Sequence, residues 1–229
     1  MVCKLIPVSA ILVLLFLNSR SQDCSAIGGS QGQPENLGTS GNPQIDQIII
    51  QELQNLSKSF GVHPAFYFFD DGTAHNAFST SESLKDFSAD GTVVFGRGLH
   101  RDQIARSQWG TNVPIILAHE FAHTVARKFQ LDLPTKQNEL FADYLAGGYM
   151  YYRNRDFRTT DIQSAFQAFF NMGDNDFTGP DHHGTPESRS RCIRQGYMDC
   201  KNADAAGHNF TLAEGVQLGQ AFVTTNDLP

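Results

Sequence analysis

The chain has 229 residues, 40% hydrophobic and 11% aromatic, with a formal charge of −7. That apolar share suits one sizeable core and excludes global disorder. The acidic balance argues against nucleic acid as a partner.

The chain begins with Lys4 and an uncharged stretch, LIPVSAILVLLFL, from Leu5 to Leu17. A membrane span needs about 20 apolar residues, so the stretch and the polar NSRSQD after it read as a secretory signal peptide, residues 1–21, cut after Ser21. A short membrane anchor is the other reading. Losing Lys4 and Arg20 moves the charge from −7 to −9. Cys3 leaves with the leader, and an oxidising compartment favours a disulfide between Cys192 and Cys200, with RCIRQGYMDC turning at Gly196. Cys24 is then free or bonded between chains; pairing with Cys24 instead stays open.

Residues 22–42, rich in Gly, Ser, Gln and Asn, are expected to form a flexible linker. The folded domain, 43–229, opens with IDQIIIQELQNLSKSF, whose apolar residues recur at helical spacing until Gly61. AFYFFDD, AFST and TVVFGRGL follow between turn signals and predict a small antiparallel sheet. Beyond Pro114 the pattern predicts helices over 114–130, 135–153, 160–172, 186–195 and 211–223, with Thr135, Thr160, Thr185 and Thr211 as caps.

The helix 114–130 carries AHEFAHTVARKF. His119 and His123 lie four positions apart, about 40° around a helix, so both imidazoles leave one face and can reach one ion. Glu120, about 100° further round, stands beside that ion and not as its obvious ligand. Two histidines with an intervening glutamate in HExxH spacing are the pattern of a zinc site in which the glutamate is general base. A core helix with two hydrogen-bonded histidines is the plain alternative.

Catalytic zinc takes three protein ligands and keeps a fourth position open. HExxHxxGxxH is excluded, because Ala126 and Phe129 occupy the glycine and final histidine positions. On the next helix, Glu139 and Asp143 share a face. Glu139 is the expected third ligand, with Asp143 orienting a histidine from behind; the reverse assignment is chemically open. His183, beside a helix capped by Thr185, is a candidate donor to an oxyanion, or one of an exposed pair with His182. Arg189 is a candidate either to bind a substrate carboxylate or to hold a Glu or Asp. Asn76 is either a turn residue or a backbone contact for substrate. His63, His75, His100 and His208 have no companions at ligand spacing.

HEFAH followed by ELFADYLAGGYM resembles the gluzincin-type neutral zinc metallopeptidases of bacteria, relatives of the CAAX prenyl proteases and heat-shock membrane proteases. HNAFST with GTVVFGRGL is similar to that family's strands ahead of the metal helix, including an exposed edge beside the cleft. HGTPESR is similar to its later His and Arg motif. The resemblance covers about residues 62–197. It implies a single-domain α+β, zincin-like fold, one zinc ion on His119, His123 and Glu139, Glu120 as base, Asp143 as orienting residue, and His183 and Arg189 near the substrate carbonyl. The expected protein is therefore a metallopeptidase acting on a peptide or protein substrate, secreted to an extracellular or periplasmic space, with no membrane span once the leader is removed. The short gap between His123 and Glu139 departs from the prenyl-protease branch, and a secretory leader argues against the cytoplasmic, repressor-cleaving relatives. A metal-stabilised extracellular binding module, or an inactive homologue, is the alternative.

Overall fold

The computed structural model describes residues 38–73, 75–83, 90–106, 112–153, 167, 183–226 and 228. The expected leader, Cys24, most of the expected linker and the helix expected over 160–172 with its cap Thr160 lie outside these, apart from Gln167. The fold is mixed α+β: a three-stranded sheet with six helices among the described residues.

Helix α1, Pro43–Phe60, starts where the Asn42 side chain accepts from the Gln44 and Ile45 amides, and ends at Gly61 in the left-handed region. Its buried stripe is Ile49, Glu52, Leu56 and Phe60. The fold reaches back further than expected. Gly38 exchanges two backbone hydrogen bonds with Phe68, at 2.9 and 3.0 Å, and Arg97 donates to the Thr39 carbonyl. Residues 38–42 are thus bonded to the domain and not part of a free linker.

Strands β1 (Ala65–Phe69), β2 (Ala77–Thr80) and β3 (Thr92–Gly96) take the order β1-β3-β2. β3 pairs parallel with β1 and antiparallel with β2, so the sheet is mixed and not antiparallel throughout. The reason lies in β3, buried along its whole length. A continuous apolar run belongs in the middle of a sheet, covered on both faces.

The end of TVVFGRGL is helical: α2 spans Arg97–Arg106. Its first turn is capped from 27 residues away, where the Asp71 carboxylate accepts from the Gly98 amide at 2.6 Å and the Leu99 amide at 2.9 Å. Gly96 permits this, since a Cβ there would lie 2.0 Å from Asp71 Oδ2. Helix α3, Asn112–Lys128, is buried almost all round and forms the centre of the domain. Helix α4, Thr135–Arg153, packs beside it.

Helix α5 runs Pro186–Ala205 from the Thr185 cap, ten residues beyond the expected end, and α6 spans Leu212–Thr225 after a reciprocal Thr211–Glu214 cap. Gly196 is no turn. It lies within α5 because a Cβ there would meet the Tyr144 carbonyl oxygen at 1.9 Å, and one on Gly147 would meet the Ile193 carbonyl oxygen at 2.0 Å. The glycines serve close helix approach. The expected Cys192–Cys200 disulfide is accordingly absent, and both are buried free thiols. Eight helical residues separate their Cα atoms by about 12 Å, beyond the roughly 7 Å that a disulfide spans.

Candidate metal centre

Helices α3 and α4 face each other across a group of donors. His119 Nε2 and His123 Nε2 are 3.1 Å apart. Glu139 from α4 closes the group, with Oε2 3.4 Å from His119 Nε2 and Oε1 3.5 Å from His123 Nε2. All three residues are buried, and among the described residues this cluster could hold a metal ion. The four-residue spacing in α3 aims both ring nitrogens the same way, and packing of α4 against α3 brings up the carboxylate.

Behind the donors lies a second layer. Asp143 Oδ1 is 2.8 Å from His119 Nδ1, which fixes the ring and turns Nε2 toward His123 and Glu139. Arg189 then holds Asp143 through a fork, Nε donating to Oδ2 and Nη2 to Oδ1, each at 2.8 Å. Arg189 is fully buried. It therefore sits where it can hold Asp143, the second of the two roles its sequence allowed, and not where a substrate carboxylate arrives.

His183 comes to the same place from the start of α5. Its Nδ1 is 3.4 Å from Glu139 Oε2, and its side chain is 13% exposed, the solvent-facing member of the group. Asn76 is buried, and its Oδ1 has no hydrogen-bond partner among the described residues. His75 is paired with Asp102 and His208 with Glu214, while His100 packs edge-on against Phe68 and Phe95.

Glu120 has a different environment from its neighbours. Both carboxyl oxygens are buried with no hydrogen-bond partner among the described residues. Burial pushes its carboxyl up to about 8, against the opposing His119 charge. Glu139 is held well below the usual carboxylate range, since His123 and His119 outweigh the cost of burial. Burial lowers His123 to about 3, leaving a neutral imidazole with a lone pair to offer. Burial acts the same way on His119, but bonding to Asp143 and Glu139 prevails and raises it to about 9.

An ion binding here would therefore have to displace a proton from His119. With His119 raised by Asp143 and Glu139, acid would compete with the ion and base would favour it. Between pH 6 and 8, zinc affinity measured by competition with a chromophoric chelator should rise about tenfold per pH unit. A flat profile would show that this imidazole carries no proton to displace.

Sequence reading missed the contact of α3 with β2. Arg127, seven positions after Glu120 and on the same stripe, donates to Ser79 Oγ at 2.6 Å and to the carbonyls of Ser79 and Thr80 at 3.4 and 3.3 Å. Ser79 and Ala77 are fully buried. The edge expected to be exposed beside the cleft is covered here. The only signal was a basic residue on the metal-facing stripe.

No protein-family model matches the sequence, and comparisons with curated proteins and with solved structures gave no significant match. Among the described residues, no helix is long and apolar enough to cross a membrane.

Proposed function

We propose that the protein is a secreted, zinc-dependent metallopeptidase of the gluzincin type, with Glu120 as general base. The observation that carries this reading is Glu120 itself, a buried carboxyl with neither oxygen bonded, placed beside a metal-ligand cluster. An unsatisfied buried group typically costs about 1–3 kcal/mol, and a fold that retains one at a metal site has a use for it.

Zinc suits the donors. Tetrahedral bonds of about 2.0–2.1 Å put ligand atoms roughly 3.3 Å apart, and the three separations here are 3.1, 3.4 and 3.5 Å. Two imidazoles and one carboxylate are also a known catalytic zinc set. When bound, the ion would act as a Lewis acid on the carbonyl and make water more acidic. The positive charge of a bound ion would favour the ionised form of Glu120, which would accept the water proton on a carboxylate oxygen as the hydroxyl adds to the carbonyl carbon. The same oxygen passes the proton to the amine nitrogen as the C–N bond breaks. His183, at the solvent side, would donate to the carbonyl oxygen as negative charge builds there. Asp143 and Arg189 keep His119 in one orientation.

A metal-stabilised binding module is the second reading, favoured by the burial of His119, His123 and Glu139. A structural zinc, however, takes four protein ligands, and among the described residues three are assembled here. The deciding experiment measures zinc per chain and cleavage of casein with and without a chelator. One zinc with chelator-sensitive cleavage is expected. One zinc without cleavage favours the binding module, and no zinc defeats both readings.

A further inference from the structure

A groove of about 470 Å³ opens on the side of α4 away from the metal cluster. Leu145, Gly148, Tyr149 and Tyr152 line it from α4. Leu145 is about 200° around the helix from Asp143, and Gly148 about 180° from Glu139. The other walls are the end of α1, with Lys58 and Phe60, and the stretch from Asn209 to Gly215. The volume lies within the range of small-molecule sites, and the mixture of aromatic walls with a few polar groups is typical of them.

The polar groups are unequal in sign. Arg153 and Lys58 both line the groove, and among the described residues no carboxylate does. Arg153 is already neutralised by the buried Glu52, which takes its guanidinium at 2.5 and 3.0 Å and the Tyr149 hydroxyl at 2.6 Å. That network fixes the floor. Glu214, in the turn beside Thr211, is engaged by the helix cap and by His208. Lys58 is exposed and has no salt-bridge partner among the described residues. Tyr152, 40% exposed, arches over the far wall with its hydroxyl on the Phe210 carbonyl. The groove thus offers an apolar aromatic trough with, among the described residues, one cation without a salt-bridge partner, the exposed Lys58.

We propose that this groove binds a small amphipathic carboxylate, with its apolar body along Phe60, Tyr149, Tyr152 and Phe210 and its carboxylate at Lys58. The proposal is independent of peptide hydrolysis. It is tested on the full chain by calorimetric titration with dodecanoate at monomeric concentrations, beside dodecanol and dodecyltrimethylammonium. Dodecanoate should bind one per chain with a Kd of roughly 0.1 mM or tighter, dodecanol at least about tenfold more weakly, and the cation without saturation. Lys58→Glu should weaken dodecanoate at least about tenfold, Lys58→Arg by no more than about twofold, and Tyr152→Ala should weaken acid and alcohol alike. Lys58 is exposed, so its variants keep the fold, and unchanged circular dichroism verifies this. Absence of saturable binding overturns the site. Equal binding of acid, alcohol and cation, or indifference to Lys58→Glu, overturns the carboxylate assignment.

Discussion

Glu120→Gln is expected to cut the proposed hydrolysis sharply while leaving metal content and the fold in place. The carboxyl oxygens have no partner among the described residues, so the amide replaces an unbonded group with one of the same size. The melting temperature should not fall, and zinc content should remain at the wild-type value. The rate behaves differently, because Gln has no site to accept a proton. A positioned general base contributes about 10²- to 10⁴-fold, and kcat/KM on a peptide substrate should drop by that factor. A variant that cleaves at the wild-type rate would remove Glu120 from the chemistry. A variant that loses zinc would make it a ligand.

Arg189→Ala has the larger effect on stability. Its guanidinium is fully buried and bonded twice to Asp143. Removing one partner of a buried ion pair leaves an uncompensated charge, at a cost of about 3–5 kcal/mol, which for a domain of this size lowers the melting temperature by roughly 10 °C or more. A released Asp143 also ceases to hold His119, so zinc affinity should fall about 10- to 100-fold. Arg189→Lys keeps the charge but loses the fork, and should lie between wild type and Ala in both measurements. An Arg189→Ala protein with wild-type melting and wild-type affinity would show that the fork does neither job.

The donor residues were legible because their information is local. HExxH needs only helical periodicity to bring two rings together, and Glu139 and Asp143 share a face by the same rule. The caps at Thr185 and Thr211 were legible for the same reason, each being a side chain bonded to an amide three residues on. What failed was long-range. Helix α2 has its cap on Asp71, far away in sequence, so RGL looked like the end of a strand. β3 sits between β1 and β2, a placement set by burial and not by chain order. Gly196 read as a turn because the sequence does not show Tyr144 pressing against it, and the disulfide expectation failed with it. Arg189 was named, but whether it served a substrate or Asp143 depended on how far α5 stands from α4.

That separation is set by backbone against backbone. At Gly147 and Gly196 a carbonyl of the opposite helix occupies the space a Cβ would need. Side-chain contacts can creep by changing rotamer; a peptide group resting on a peptide group has no such play. The pair acts as a mechanical stop that fixes the depth to which α5 seats on α4. The Arg189–Asp143 fork inherits its alignment from this stop, and so, through Asp143, does the angle of the His119 ring. A methyl group at residue 147 or 196 would therefore act as a shim, felt at a candidate metal centre it never touches.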